Sequence, residues 1–463
     1  MRNMTLEAIA EVVGGKLENT AKVDLSKEAT CVVIDSRLIE EGGIFVATKG
    51  ERVDGHDFIG QVFAKGALGV ICEKLPQKPA GPCIVVEDSF EALKKLAKYY
   101  RDQLSLKIVG IVGSVGKTST KEIVASVLSS HYEVLRTEGN YNNQVGVPLT
   151  IFKIRDAHEV AVIEMGINNF GEMDSLGRIV RPDIVVFTNI GPCHLEFLGD
   201  LDGVLRAKTE VIPHMSATGT LVLNGQDEKL ALIDGDKALG RLVIKYGKES
   251  KRDDVYASNI ENLGLDGSRF TANFPDDSHY EMTVPLPGYH MVDNAIAAAA
   301  VGYLLGLNLE EIRRGLSGAQ PLSGRGHIIH SQYYTIVDDC YNANPKSMCA
   351  AIDTLGYALG RKVAILGDMF ELGEESDKLH GQVGDYAASH GVDSLIFVGA
   401  SAKHMYERAR LHEDVEIRYY PNKELLIGAL SDDTKDILRK GDTILVKASH
   451  GMGFSEVVDF LNR

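Results

Sequence analysis

Residues 110–120 read Gly-Ile-Val-Gly-Ser-Val-Gly-Lys-Thr-Ser-Thr, and this stretch decides the fold. Ile108, Val109, Ile111 and Val112 form an apolar run that predicts a buried strand. Beyond Lys117, the positions Ile123, Val124, Val127 and Leu128 share one face at helical spacing. A strand, a glycine turn and a helix start aim backbone N–H groups and the positive end of a dipole at one spot. Gly113 and Gly116 let the chain bend close to a polyphosphate, so Gly113, Ser114, Val115, Gly116, Lys117, Thr118 and Ser119 form the predicted nucleotide cradle. Lys117 has the reach for β- and γ-phosphates, and the Thr118 hydroxyl suits Mg²⁺. The common pattern Gly-x4-Gly-Lys-[Ser/Thr] would place a glycine at 111, where Ile111 stands, so the loop is a variant. An ordinary tight turn before a helix is the alternative.

A chain of 463 residues suits three domains at roughly 150 residues each. The net charge of −16 argues against a protein that wraps nucleic acid or coats an anionic membrane. Cys31, Cys72, Cys83, Cys193, Cys340 and Cys349 are scattered with no Cys-x-x-Cys pair, which reads as reduced thiols, neither a disulfide frame nor a zinc site. Met1–Glu7 lacks the apolar core of a secretion signal, and no run is long enough to span a bilayer. The expectation is a cytoplasmic protein without membrane insertion.

Three blocks emerge: 1–104, 105–315 and 316–463. The first mixes short strands (31–34, 44–47, 68–72, 83–86) with helical stretches ending at 91–101. The second repeats strand-then-helix from the phosphate loop onward. The third alternates apolar runs (335–337, 363–366, 394–398, 443–446) with amphipathic helices. Such alternation predicts an α/β protein with mostly parallel, helix-covered sheets. Gly315–Gly324, rich in Gly, Ser and Pro, reads as an interdomain connection.

Ligands of open parallel sheets bind beyond the carboxyl ends of the strands. There the run Val160–Ile163 leads into Glu164, and Ile184–Phe187 leads into Thr188–Glu196, which contains His194. Thr118 and Glu164 offer the oxygens that Mg²⁺ prefers. His194 serves either as a ligand of a second metal or as a structural histidine. Taken alone, Lys208 is a solvated helix lysine. Asn294, ahead of the alanine-rich run 295–300, either caps a helix or contacts a base. A second polar cluster spans Asp338–Met348, and further strand-to-loop transitions carry Asp368, Glu371 and Lys447–His450.

Together these motifs resemble the Mur ligases over essentially the whole chain. Asp35-Ser36-Arg37, Gly43–Ala47, Asp54-Gly55-His56 and Gly66-Ala67 are similar to the family's UDP-sugar-binding domain, which implies substrate contacts from Ser36, Arg37, Asp54 and His56. The short loop Gly113–Thr118 is the family's variant, which accounts for Ile111. Tyr341-Asn342-Ala343-Asn344-Pro345-x-Ser347-Met348 and Leu366-Gly367-Asp368-Met369-x-Glu371-Leu372-Gly373 resemble the D-alanyl-D-alanine-adding branch. No Asp-Asn-Pro-Arg motif of the diamino-acid-adding sibling is present.

The resemblance implies an ATP-dependent amide ligase of peptidoglycan precursor synthesis, working through an acyl phosphate on a UDP-N-acetylmuramoyl tripeptide. It implies a central ATPase-like domain, a Rossmann-like third domain on the dipeptide side, and a monomer. Thr118 and Glu164 would hold one Mg²⁺ and His194 a second, with Lys117 catalytic and Lys208 carbamylated beside the metals. Asn294, Arg325 and Asp339 match positions near adenine, phosphate and ribose. Asn342, Asn344, Ser347, Asp368 and Glu371 fall at the dipeptide end. The tripeptide's last residue, lysine or diaminopimelate, stays open. The chain departs from the family at Tyr289 and His450, where arginine is common, and at Cys193, where alanine is common. An arginine fork binds carboxylate or phosphate in ways imidazole does not.

Three rivals fit less well. Leu316–Gln320 resembles a transport-ATPase signature, but Pro321 denies it the following helix. Asn422–Leu425 lacks the aspartate that reads guanine in a GTPase. A folate–glutamate ligase would share the loop and metal residues without needing Asp35–Arg37 or Tyr341–Met348.

Overall fold

The computed structural model describes residues 1–463 apart from 21–23 and 51–52, and for 433–435 it describes the helical backbone alone. Three sheets lie in sequence order, of five, nine and six strands. In the first, Val32–Val33, Ile44–Val46, Gly69–Cys72 and Cys83–Val85 run parallel, and Lys16–Glu18 closes the edge antiparallel to Cys83–Val85. Leu6–Val13 and Ser89–Asp102 cover it with faces whose buried residues include Leu6, Ile9, Leu93 and Leu96.

In the second sheet, Lys107–Val112 lies between Val160–Glu164 and Ile184–Phe187, all parallel and fully buried beyond Lys107. Ile111 pairs with Glu164, and Val112 with Phe187. That register brings the phosphate loop, Glu164 and the Thr188–His194 segment to one edge, as parallel topology requires. The strand-then-helix expectation fails at the far side. Ser268–Asn273 and His279–Val284 are an antiparallel extension with no intervening helix. The reason lies in the sequence between them: Pro275-Asp276-Asp277-Ser278 turns the chain back at once.

Helix Lys117–Leu128 packs against His290–Leu304, whose Ala295 and Ala297–Ala300 are fully buried. Small residues bring these helices and the next one, Leu309–Ser317, close together. A Cβ on Gly315 would overlap the Val127 backbone and lie 2.8 Å from Ser126 O. The connection to the third domain therefore begins later than Gly315, since that residue is still helical. Asn294 is no cap: His290–Leu304 starts four residues earlier, behind Tyr289, with no side-chain capping bond.

In the third sheet, Thr335–Asp338, Thr443–Lys447, Lys362–Gly367, Ser394–Val398 and Glu416–Tyr420 run parallel, with His327–His330 antiparallel at the edge. No helix among the described residues is long and apolar enough to cross a membrane.

Candidate active site

The phosphate loop is held open by amides and hydroxyls from the neighbouring strand's end. Asn189 accepts from Ser114 N–H through its carbonyl (3.0 Å) and from Val115 N–H through Oδ1 (3.1 Å), and its Nδ2 donates to Val115 O. Thr188 Oγ1 donates to Val115 O at 2.6 Å and lies so close to Gly113 that any Cβ there would overlap it. Gly116 needs its glycine for another reason, a φ of +82°. Lys117 Nζ folds back onto the carbonyls of Gly113 (2.9 Å) and Ser114 (3.3 Å). Burial pushes its pKa below the ordinary lysine value, with Glu164 opposing. An arriving polyanion would relieve that penalty.

Beneath the loop, Glu164 is 1% exposed. Its Oε1 accepts from Thr118 Oγ1 at 3.2 Å and Asn142 Nδ2 at 2.8 Å. Its Oε2 is buried without a hydrogen bond, 3.8 Å from Lys121 Nζ. Lys121 itself is occupied by Thr137 O at 2.7 Å and Glu122 at 2.9 Å. An unpartnered carboxylate oxygen in the interior is costly, and a hard cation is its natural complement. Thr118 and Glu164 are an oxygen donor pair that fits Mg²⁺ completed by phosphate oxygens and water. Among the described residues no cluster of three or more His, Cys, Asp or Glu forms a self-sufficient metal cage.

His194 stands in the left-handed region at φ 51°, with Nδ1 3.2 Å from Glu371 Oε2 of the third domain. Burial lowers its pKa, with Glu371 opposing and Lys208 and Lys117 lowering it further, a balance that favours the neutral ring. Lys208, on helix Leu201–Thr209, is 1% exposed and makes no hydrogen bond or ion pair among the described residues. Burial first, then the Lys117 charge, brings its pKa down to about 8.

The third domain supplies the opposite wall. Arg325 lies 4.0 Å over the Tyr341 ring, and the other neighbour of that ring is His450, at 5.1 Å. Asp339 accepts from Lys447 Nζ at 2.6 Å, and the same ammonium reaches Asn342 O at 3.0 Å. Asn344 and Ser347 cap helix Pro345–Gly356 reciprocally. A cavity of about 1060 Å³ joins the two walls; Ser114–Ser119, Glu164, His194, Asn294, Arg325, Asp339, Asn342, Asn344, Ser347 and Glu371 all line it. Asn294 also accepts from Thr120 Oγ1 at 3.1 Å, which ties it to the helix after the loop.

Of the expected residues, Gly113, Lys208, Asp368, Ser36, Arg37, Asp54 and His56 are not part of the cavity lining. Asp368 is buried and accepts from Ala402 N–H at 2.7 Å, so its carboxylate is spent on holding the loop and does not line the cavity. Ser36, Arg37, Asp54 and His56 sit in the first domain, away from this cavity. Arg37 grips Asp35, whose carboxyl it holds down at about 2. Both His56 nitrogens are used: Nδ1 meets Asp54 Oδ1 at 2.7 Å, and Nε2 accepts from Glu73 N–H at 2.9 Å. Asn142, Asn189 and Lys121 carry no role in the sequence reading, and Lys447 appears there only at the start of the polar transition Lys447–His450. The amide run Asn140–Gln144 is the one local signal that pointed to Asn142.

A phosphate loop over the buried oxygens of Thr118 and Glu164, facing a second α/β domain across a shared cavity, defines a P-loop nucleotide-binding enzyme. Residues 28–101 match the family description "Mur ligase family, catalytic domain", 111–302 "Mur ligase middle domain", and 324–450 "Mur ligase, glutamate ligase domain". The chain belongs to the Mur ligase family. It is 34% identical to the UDP-N-acetylmuramoyl-tripeptide–D-alanyl-D-alanine ligase of Bacillus subtilis (strain 168), covering 99% of this chain and 98% of that one. The protein of the same name from Escherichia coli (strain K12) is also 34% identical, with the same coverage. Its fold matches a crystal structure of MurF from Acinetobacter baumannii with a TM-score of 0.90, 32% identity and 99% of both chains covered. A MurF ligase from Thermotoga maritima in complex with ADP matches with a TM-score of 0.81, 28% identity, and 93% of this chain and 97% of that one covered.

Proposed function

We propose that this chain is an ATP-dependent amide ligase that adds D-alanyl-D-alanine to a UDP-N-acetylmuramoyl tripeptide. The observation that carries this reading is the shared cavity, lined at one wall by the phosphate loop and at the other by Asn342–Ser347. It lets a γ-phosphate, a peptide carboxylate and an incoming amine meet in one chamber. A carboxylate oxygen of the tripeptide attacks the γ-phosphorus and ADP departs. The amine nitrogen of the dipeptide then attacks the acyl carbon and loses a proton, and phosphate leaves carrying that carboxylate oxygen.

Two anions meet in the first step, so counter-charge dominates the chemistry. Lys117 exchanges its loop carbonyls for phosphate oxygens, and Arg325 faces the same space. Thr118 and Glu164 would hold Mg²⁺, with His194 toward a second ion; bound there, such ions neutralise phosphate charge. Lys208, at about 8, is partly a neutral amine near neutral pH, the form that adds CO₂. Carbamylation would turn a buried, unpartnered cation into an anion facing His194. Asn294 and Asp339 take the adenosine end, Asn342, Asn344, Ser347 and Glu371 the dipeptide end, and Asp368 positions the loop that carries Glu371.

In this reading residues 1–104 hold the UDP end through Ser36, Arg37, Asp54 and His56, residues 105–315 the nucleotide, and 316–463 the dipeptide. The protein works as a cytoplasmic monomer. Phosphate release is expected only when ATP, tripeptide and D-alanyl-D-alanine are all present, and to fall by about 10²–10³ in Lys117→Ala. Equal release with L-alanine or a diamino acid would refute the specificity, and full activity of Lys117→Ala would refute the mechanism.

A further inference from the structure

Most cations of the active-site cavity already have partners. Lys117 holds loop carbonyls, Arg325 lies on Tyr341, Lys447 is paired with Asp339, and Lys229 with Asp202. Lys346 also lines the cavity, yet it makes no hydrogen bond or ion pair among the described residues. It belongs to the third domain, in the first turn of helix Pro345–Gly356. Its stem nevertheless reaches the rim of the phosphate loop: Lys346 Cδ lies 4.0 Å from where a Cβ on Gly191 would sit. Gly191 is bound to that loop through Ser114, whose Oγ accepts from Gly191 N–H at 2.9 Å and donates to Gly191 O at 3.0 Å. A cation in a helix's first turn opposes the helix dipole, and the charge that acts on it across the cavity is the Asp293 carboxylate, which Lys248 already pairs at 2.8 Å. An anion in the cavity would offset that opposition.

On the ligase reading above, we infer that Lys346 is a further catalytic residue. Its ammonium donates a hydrogen bond to a non-bridging oxygen of the phosphoryl group as that group passes from ADP to the peptide carboxylate. No bond to Lys346 forms or breaks; it supplies charge where charge accumulates. Because it rides on the domain that carries the dipeptide end, its charge serves the phosphate loop only while the two walls stand as close as they do here, which couples phosphoryl transfer to that arrangement of the cavity.

The test uses the full chain and its Lys346→Gln and Lys346→Arg variants. The wild type is first shown to release phosphate only with both substrates; failure there refutes the ligase reading and leaves the residue's role out of the question. Lys346→Gln is expected to lower kcat by about 10- to 100-fold and to change the dissociation constant for ATP alone by less than about twofold. Lys346→Arg should recover most of the rate, and Lys346→Gln should keep the wild-type circular dichroism spectrum, because the side chain makes no hydrogen bond or ion pair among the described residues. The role is overturned if kcat of Lys346→Gln stays within about twofold of wild type, if ATP affinity falls as much as the rate, or if arginine restores nothing.

Discussion

Two buried charges at the site are left incomplete by the protein itself. Glu164 Oε2 has no hydrogen bond, and Lys208 has no partner among the described residues. As the unmodified amine, Lys208 carries a pH-dependent cost whose sign is fixed by its shift from 10.5 to about 8. Below about pH 8 the amine is protonated both folded and unfolded, and the full penalty applies. Between about 8 and 10.5 the unfolded chain binds more protons, so stability rises with pH. The shift corresponds to on the order of 3 kcal/mol. Lys208→Met is therefore expected to be inactive yet more stable than wild type at pH 7, with the gap narrowing at pH 9.5, as read by denaturant midpoints. A gap that widens with pH would contradict the assignment. Of these residues the sequence revealed Glu164 through its place after a strand, but not Asn142 or Asn189. The Asn142 amide acts on Glu164 and the Asn189 amide on the phosphate loop, both distant in sequence, and only the amide-rich stretch 140–144 hints at the first.

At the scale of elements, helix Lys117–Leu128 with the strand before it was legible because burial on both faces imposes a continuous apolar run and then a 3.6-residue stripe. The antiparallel strands Ser268–Asn273 and His279–Val284 were not, since their alternation is weak beside the stronger helix signals around them. The alanine-rich helix His290–Leu304 hides its purpose too: alanines favour a helix anywhere, and only the packing explains them. Gly315→Ala tests that packing. Alanine would gain about 1 kcal/mol of helix propensity, but its methyl meets the Val127 backbone, which cannot rotate away. Overpacking of this kind costs about 1–3 kcal/mol, so a net loss of stability is expected, seen as a lower melting temperature with ATP affinity reduced by displacement of the loop helix. Unchanged or higher stability would mean the helices separate freely.

Across the whole molecule, alternation of strands and helices made an α/β architecture readable, while the juxtaposition of its parts was not. The contacts that join the central and third domains include the polar pair His194 with Glu371 and the packing of Leu265 on the third domain's core, single residues that leave no hydrophobic period in the sequence. Interfaces between domains of one chain commonly allow movement. Such movement fits a reaction whose three reactants must enter before water is excluded. In the proposed reaction the phosphoryl group goes to a peptide carboxylate and not to water. Tripeptide labelled with ¹⁸O in its terminal carboxylate tests it directly, with the released phosphate analysed by mass spectrometry. One ¹⁸O in each phosphate, formed only in the presence of the dipeptide, is the predicted result. Phosphate free of the label would contradict it.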